Sequence, residues 1–388
     1  MAIVKIAKSL CICAILQGCV GGSSVEKRMD THRLKPTNEY LRFALDEYTH
    51  MPLTNIELVD LDGKDYLYFI NGQKPEILIY DLASRQLSCK MIFEPEGPHG
   101  IGRGIGCAYV KSKEEVYLSN GYTNTIYKSN DKGQIVGKYD FTKADNGLGL
   151  TSILCSLGRM ELIDGKFYIP QSLNKALGPI LINESSVCAI MDTVCKATTI
   201  SDFKYPPLIE YSDMGTPAGF GFQYRRTYDG TSFIYSFLYS DSIYKVSKDH
   251  TKAEVYQIKS KYISDVTVPS RNVSDLKDVL KATCEEATYE DIIYDKYRNV
   301  YYRFACPKTE IDVSNNLSEV IRFGKQQFSI IILDADLSII GETLFPEFTY
   351  VPTAHFVSED GLYLSCSHFK NPHYSDDELC FERIELSY

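Results

Sequence analysis

The chain reads as an all-β protein, a six-bladed β-propeller whose last blade is closed by a strand from the N-terminal region. Three observations predict this. Short runs of alternating apolar and polar residues follow one another to the C-terminus, with almost no long segment of helical period. A step of strand, tight polar turn and aromatic-centred strand recurs at spacings of roughly 50 to 70 residues. The 29 Tyr and 18 Phe, with no Trp, suit the half-buried pleated surface of sheets.

The copies of the step are VDLDGKDYLYFI near 59, YVKSKEEVYLSN near 109, ELIDGKFYIPQ near 161, RTYDGTSFIYSF near 226, IYDKYRNVYYRF near 293 and FVSEDGLYLSCS near 356. A second hairpin follows, as in ILIYDLASRQLSCKMIF and IIILDADLSIIGETLFP. Two hairpins per unit make a four-stranded sheet, and sheets arranged radially leave few exposed edges. Asp62-Gly63, Asp164-Gly165 and Asp229-Gly230 suit hairpin turns, since both residue types tolerate positive φ. The last unit, from about 352, supplies three strands before the chain ends, and EYLRFALDE at 39–47 is expected to add the fourth. NVSDLKDVLKATCEEA, from about 272, is the one helical pattern, with Ser274 as N-cap, and is expected to be an insertion between the fourth and fifth blades.

The first residues, MAIVKIAKSLCICAILQGC, carry Lys5 and Lys8, a short apolar run and a small residue before Cys19, the layout of an export signal. The run is too short for a bilayer core of roughly 30 Å, which takes about 20 residues. Leu16-Gln17-Gly18-Cys19 resembles the bacterial lipobox, which implies cleavage after residue 18 and acylation, palmitate included, of Cys19. An ordinary cleaved signal peptide is the alternative. The expected organisation is a signal peptide over 1–18, a flexible tether over 19–38 and the propeller over 39–388.

With 51 acidic against 41 basic residues the chain has a net charge of -10, which argues against nucleic acid as a partner. The lipobox, LDEYT, the step DYLYFINGQKPEILIYDL and the blade spacing together resemble the TolB-like six-bladed propeller lipoproteins of Gram-negative bacteria, close to a domain-of-unknown-function family among them. The resemblance implies a monomeric propeller held by its lipid in the cell envelope, at the outer membrane. It transfers no catalytic residue.

Nine cysteines follow Cys19, without a CxxC pair or a zinc spacing. A hairpin centred on Met191-Asp192 would set Cys188 opposite Cys195, while Cys366 and Cys380 bracket the loop SHFKNPHYSDDE, so both pairs are disulfide candidates, with Cys284 and Cys306 a weaker third. HGIGRGIG, residues 99–106, lacks the following helix of a phosphate-binding loop and is expected to lead into an innermost strand. His99, Arg103, Arg159, Arg225, Arg226, Glu290 and His355 are the candidates for one mouth of the channel, where arginines could hold a carboxylate, phosphate or acidic sugar. The structural alternative for them is ion pairing between blades. His355, His368, His373, Asp376 and Asp377 offer ligand-type side chains, but their loop reads as solvated and no metal or cofactor is expected. Two functions stay open: a membrane-tethered binding module for a glycan, a peptide or an envelope protein, and a channel hydrolase, lactonase or lyase that uses a divalent ion.

Overall fold

The computed structural model describes residues 30–49, 53–153, 158–172, 185–206, 224–267, 281–282, 284–311 and 325–388. The export signal, Cys19 and most of the expected helix lie outside them, though Lys281, Ala282, Cys284 and Glu285 are helical just ahead of the fifth blade. The described chain is otherwise built from strands, in six four-stranded antiparallel sheets.

Blade 1 is β2 (Thr54–Leu61), β3 (Lys64–Ile70), β4 (Glu76–Asp81) and β5 (Leu87–Ile92). Blade 2 is β6 (Cys107–Ser112), β7 (Glu115–Ser119), β8 (Thr125–Ser129) and β9 (Ile135–Asp140). Blade 3 is β10 (Glu161–Ile163), β11 (Lys166–Pro170), β12 (Cys188–Asp192) and β13 (Thr198–Ile200). Blade 4 is β14 (Tyr224–Tyr228), β15 (Ser232–Phe237), β16 (Ser242–Ser247) and β17 (Ala253–Gln257). Blade 5 is β18 (Thr288–Asp295), β19 (Val300–Cys306), β20 (Ser329–Leu333) and β21 (Ile339–Leu344). Blade 6 is β22 (Val351–Ser358), β23 (Gly361–Ser365) and β24 (Glu378–Ser387), completed by β1 (Arg33–Ala44) on its outer edge. The first strands of blades 4, 5, 6, 1 and 2 meet in that order around the axis.

The N-terminal strand closes the ring as the sequence predicts, pairing Leu41 with Phe381 and Phe43 with Leu379. Its pairing begins at Arg33, ahead of the expected start at Glu39, and its register shifts between Pro36 and Tyr40. Pro36 has no N–H to give, and an outer edge strand with a bulge is where a sheet accepts that. Upstream, His32 runs beside Gly341 of blade 5, where a Cβ would sit 2.0 Å from the His32 carbonyl oxygen, so only glycine lets the N-terminal segment lie there.

Asp62-Gly63 and Asp164-Gly165 have positive φ at both positions, the turn that matches strand twist. Asp229-Gly230 differs: only Gly230 is left-handed, and the Asp229 carboxylate accepts from the Thr231 and Ser232 N–H groups at 2.8 and 2.7 Å, making a longer loop.

The core lies between the blades. Each pair of neighbouring sheets encloses one apolar cluster, such as Phe43, Leu67, Phe69, Leu379 and Phe381 between blades 6 and 1. Central strands are apolar on both faces because both faces meet another sheet; every residue of β19 is buried. Buried polar side chains tie neighbouring blades. Arg303 donates to the carbonyls of Ser240, Asp241 and Ile258 at 2.6, 3.1 and 2.6 Å and lies 3.6 Å over the Tyr289 ring, and Tyr80 donates to the Ala44 carbonyl at 2.6 Å.

Candidate functional site

The six first strands β2, β6, β10, β14, β18 and β22 line the axis, and four of them break register: β6 between Val110 and Ser112, beside its hairpin turn, and three others next to an acid or a histidine. β2 shifts between Thr54 and Glu57, β18 between Tyr289 and Ile292, and β22 between Val351 and His355. Bulges of this kind re-aim side chains and recur beside functional sites. Those of β2, β18 and β22 fall in blades 1, 5 and 6, which are neighbours in the ring, and they present Glu57, Asp291 and His355 to the same polar cluster.

Arg159, just ahead of β10, reaches across the axis to blade 1. Its Nε lies 3.1 Å from Glu57 Oε1. Glu57 also accepts from Asn55 Nδ2 at 3.1 Å and from the Tyr68 hydroxyl at 2.7 Å, so it is fixed on three sides. Arg159 is surrounded by protein, yet 42% of its side-chain surface stays accessible, against 13% for Glu57. Depth and exposure together describe a side chain that opens onto the channel. Burial favours the neutral form of Arg159, but the carboxylates of Glu57 and Asp291 outweigh it and hold the guanidinium charged. Glu57 is itself pushed up by burial, which Arg159 opposes. Glu161, the first residue of β10, is pushed up to about 7 by burial and by the Glu57 charge.

On the other side of the cluster, His355 Nε2 stands 3.4 Å from Asp291 Oδ2, and its Nδ1 lies 3.0 Å from the Pro352 carbonyl. The Asp291 Oδ1 accepts from the Ile292 N–H at 2.7 Å, which fixes the carboxylate on the bulge. Burial lowers the His355 pKa, Asp291 opposes that, and the positive fields of Arg159 and Arg225 add to it. Arg225, on β14, is near enough for its charge to act on His355.

Of the residues the sequence singled out, Arg159, Arg225 and His355 meet here. Arg226 does not; strand alternation turns it away from Arg225 into the interface of blades 3 and 4. It donates to the carbonyls of Arg159 and Tyr168 at 3.0 and 2.6 Å, to the Tyr235 hydroxyl at 3.0 Å and to Cys188 Sγ at 3.3 Å. It therefore positions the segment that carries Arg159. Burial pushes the Cys188 thiol up, but His250 and Arg226 outweigh it and bring it down to about 7. Glu290 accepts from Thr288 Oγ1 at 2.6 Å and acts on the thiols of Cys284 and Cys306. His99 is exposed, with Nδ1 3.2 Å from the Ile135 carbonyl on outer strand β9, away from the axis. Arg103 is exposed on the loop into β6. At the end of that loop Gly106 packs on Gly121, where a Cβ would lie 2.7 Å from the Gly121 nitrogen, so the glycine serves contact within the blade.

The cysteine pairs separate. The β12–β13 register sets Ala189 against Ile200, and the Asp192 carboxylate caps the turn at Val194 and Cys195. Cys188 is consequently buried opposite Ser201, Cys195 is exposed in the turn, and the expected pairing of Cys188 with Cys195 is corrected. Cys366 and Cys380 do face one another as thiols: the Cys366 N–H donates to the Cys380 carbonyl at 2.8 Å and the side chains hydrogen-bond. Cys284 and Cys306 stand as separate thiols. His368 is buried beside Phe369 and His373 lies against Arg42, so these histidines do not join His355; among the described residues no three His, Cys, Asp or Glu side chains converge as metal ligands. Glu57, Glu161 and Asp291 escaped the sequence reading, because single acids inside short strands resemble surface positions; only the strand parity of Glu57 against Ile56 hinted at an axial place.

The family model described as a domain of unknown function, DUF4221, matches residues 33–344. The chain belongs to this family. A crystal structure of a DUF4221 member from Bacteroides vulgatus is 25% identical, covers 93% of this chain and 99% of that one, and superposes with a TM-score of 0.82. A Bacteroides fragilis protein described as a "putative exported protein" shares the fold at 10% identity, with 94% and 98% coverage and a TM-score of 0.56. No curated protein matches the DUF4221 chain.

Proposed function

We propose that this DUF4221 propeller is a lipid-anchored protein of the cell envelope, at the outer membrane, that binds a small anionic ligand in its channel through Arg159 and Arg225. The observation that carries the ligand reading is the accessible Arg159 guanidinium, held charged in the axis with Nε on Glu57 and one terminal nitrogen donating to the Ile56 carbonyl at 3.5 Å, which leaves further N–H donors to spare. A guanidinium has donors enough to keep Glu57 and accept a carboxylate or phosphate besides. The anchor rests on the Leu16-Gln17-Gly18-Cys19 pattern, and the exported description of the B. fragilis protein is in keeping with it.

A thermal-shift panel of carboxylates, phosphates and acidic sugars tests the ligand reading, since a ligand that binds the native state raises its melting temperature with concentration. The rise should be absent in Arg225→Gln. Incorporation of labelled palmitate, lost in Cys19→Ser, tests the anchor. A second reading, a hydrolase or lyase, draws on Glu161: a carboxyl group pushed up to about 7 by burial and the Glu57 charge is suited to proton transfer near neutral pH. Turnover of an acidic glycan or lactone that Glu161→Gln abolishes would favour it.

A further inference from the structure

The contact between His355 and Asp291 brings two acceptors together. Nδ1 faces the Pro352 carbonyl at 3.0 Å and so must carry the ring proton of a neutral imidazole. Nε2 then holds a lone pair, has no hydrogen-bond partner, and points at Asp291 Oδ2 3.4 Å away. The His355 side chain is 2% exposed and that of Asp291 19%, so the pair lies away from bulk solvent, where an unmet lone pair is costly. Protonating the ring would resolve it, but burial and the two arginines work against that charge.

A group that satisfies both acceptors needs two hydrogens to donate. A hydroxyl brings one; an ammonium brings three, with a charge that complements Asp291. We propose that the channel binds a small zwitterion, an ammonium adjacent to a carboxylate as in an α-amino acid, with the ammonium bridging His355 Nε2 and Asp291 Oδ2 and the carboxylate on Arg159 and Arg225. This rests on the anion reading above and adds its second half. Neutral sugars and simple anions fill only part of such a site. A free amino acid and an amino-acid head on the side chain of a cell-wall peptide offer the same chemistry.

Titration calorimetry on the full chain separates the cases, with alanine, propionate, ethylamine and a peptide bearing a diamino-dicarboxylate side chain as probes. Alanine or the peptide should bind about tenfold or more tighter than propionate, the scale of one charge-assisted hydrogen-bonded pair, and the tighter of the two identifies the source. Asp291→Asn should erase that advantage, with propionate, relieved of the nearby carboxylate, binding at least as tightly as in the parent. The new amide can donate to His355 Nε2, so this variant should remain folded. His355→Gln, which keeps a polar side chain there, should reduce the advantage as well. Equal binding of alanine and propionate would overturn the zwitterion and leave the anion reading standing. Ethylamine binding as tightly as alanine, or no binding by any probe, would overturn both.

Discussion

Phe43 offers the sharpest test of how the ring closes. Its ring is fully buried between blades 6 and 1 and meets Tyr80 edge-on at 5.5 Å and Phe381 at 6.2 Å. Burying a Phe side chain is worth about 2–3 kcal/mol, and two edge-on ring contacts add about 0.5 kcal/mol each at the low end of their range. Phe43→Ala also leaves a cavity that the surrounding strands fill only in part, so the substitution should cost about 4 kcal/mol, inside the roughly 3–5 kcal/mol seen for buried aromatics. Urea unfolding followed by tyrosine fluorescence reads this as a shift of the midpoint at unchanged slope. Val136→Ala, on outer strand β9 and 59% exposed, is the control and should stay within about 0.5 kcal/mol of the parent. A loss below about 1 kcal/mol for Phe43→Ala would mean instead that β1 contributes little to the closed ring.

Glu161 should make stability pH-dependent. Its folded pKa, about 7, lies above the ordinary 4.5, so its contribution is fully present below 4.5 and is lost as pH rises through about 7. Melting temperatures across that window should fall for the parent and stay flatter for Glu161→Gln; parallel curves would contradict the assignment. Cys366 and Cys380 should join under a mild disulfide oxidant such as diamide, their two protons and two electrons passing to the reagent. Thiol titration should then fall by that pair, melting should rise, and Cys366→Ser should show neither effect. Tyr80→Phe strands the Ala44 carbonyl and should lower stability by about 1–2 kcal/mol in the same urea assay.

The fold was legible because propeller blades repeat: hairpin turns and aromatic strands announce each sheet, and the missing strand of the last unit pointed to the segment that supplies it. The site was legible only in part. Arg159 was one of the candidates for the channel mouth. Arg225 and Arg226 looked alike until the strand parity was fixed, one facing the axis and the other clamping two blades. Asp291 depends on a bulge in β18, which moves a side chain without leaving a mark in the residue pattern. Cys188 and Cys195 failed as a pair for a related reason. Asp192, taken as the centre of the turn, ends the strand and caps the turn that follows it, which moves every partner along.

In the proposed site the axial arginines, and not the blade-clamping ones, hold the ligand. The guanidinium Nε–Hε resonances of the ¹⁵N-labelled protein, assigned through single Arg→Lys variants, test it directly. On titration with alanine and with propionate, the signals of Arg159 and Arg225 should move together and saturate, while those of Arg226 and Arg303 stay in place. Movement of surface arginines alone, with the channel pair unchanged, would contradict the account.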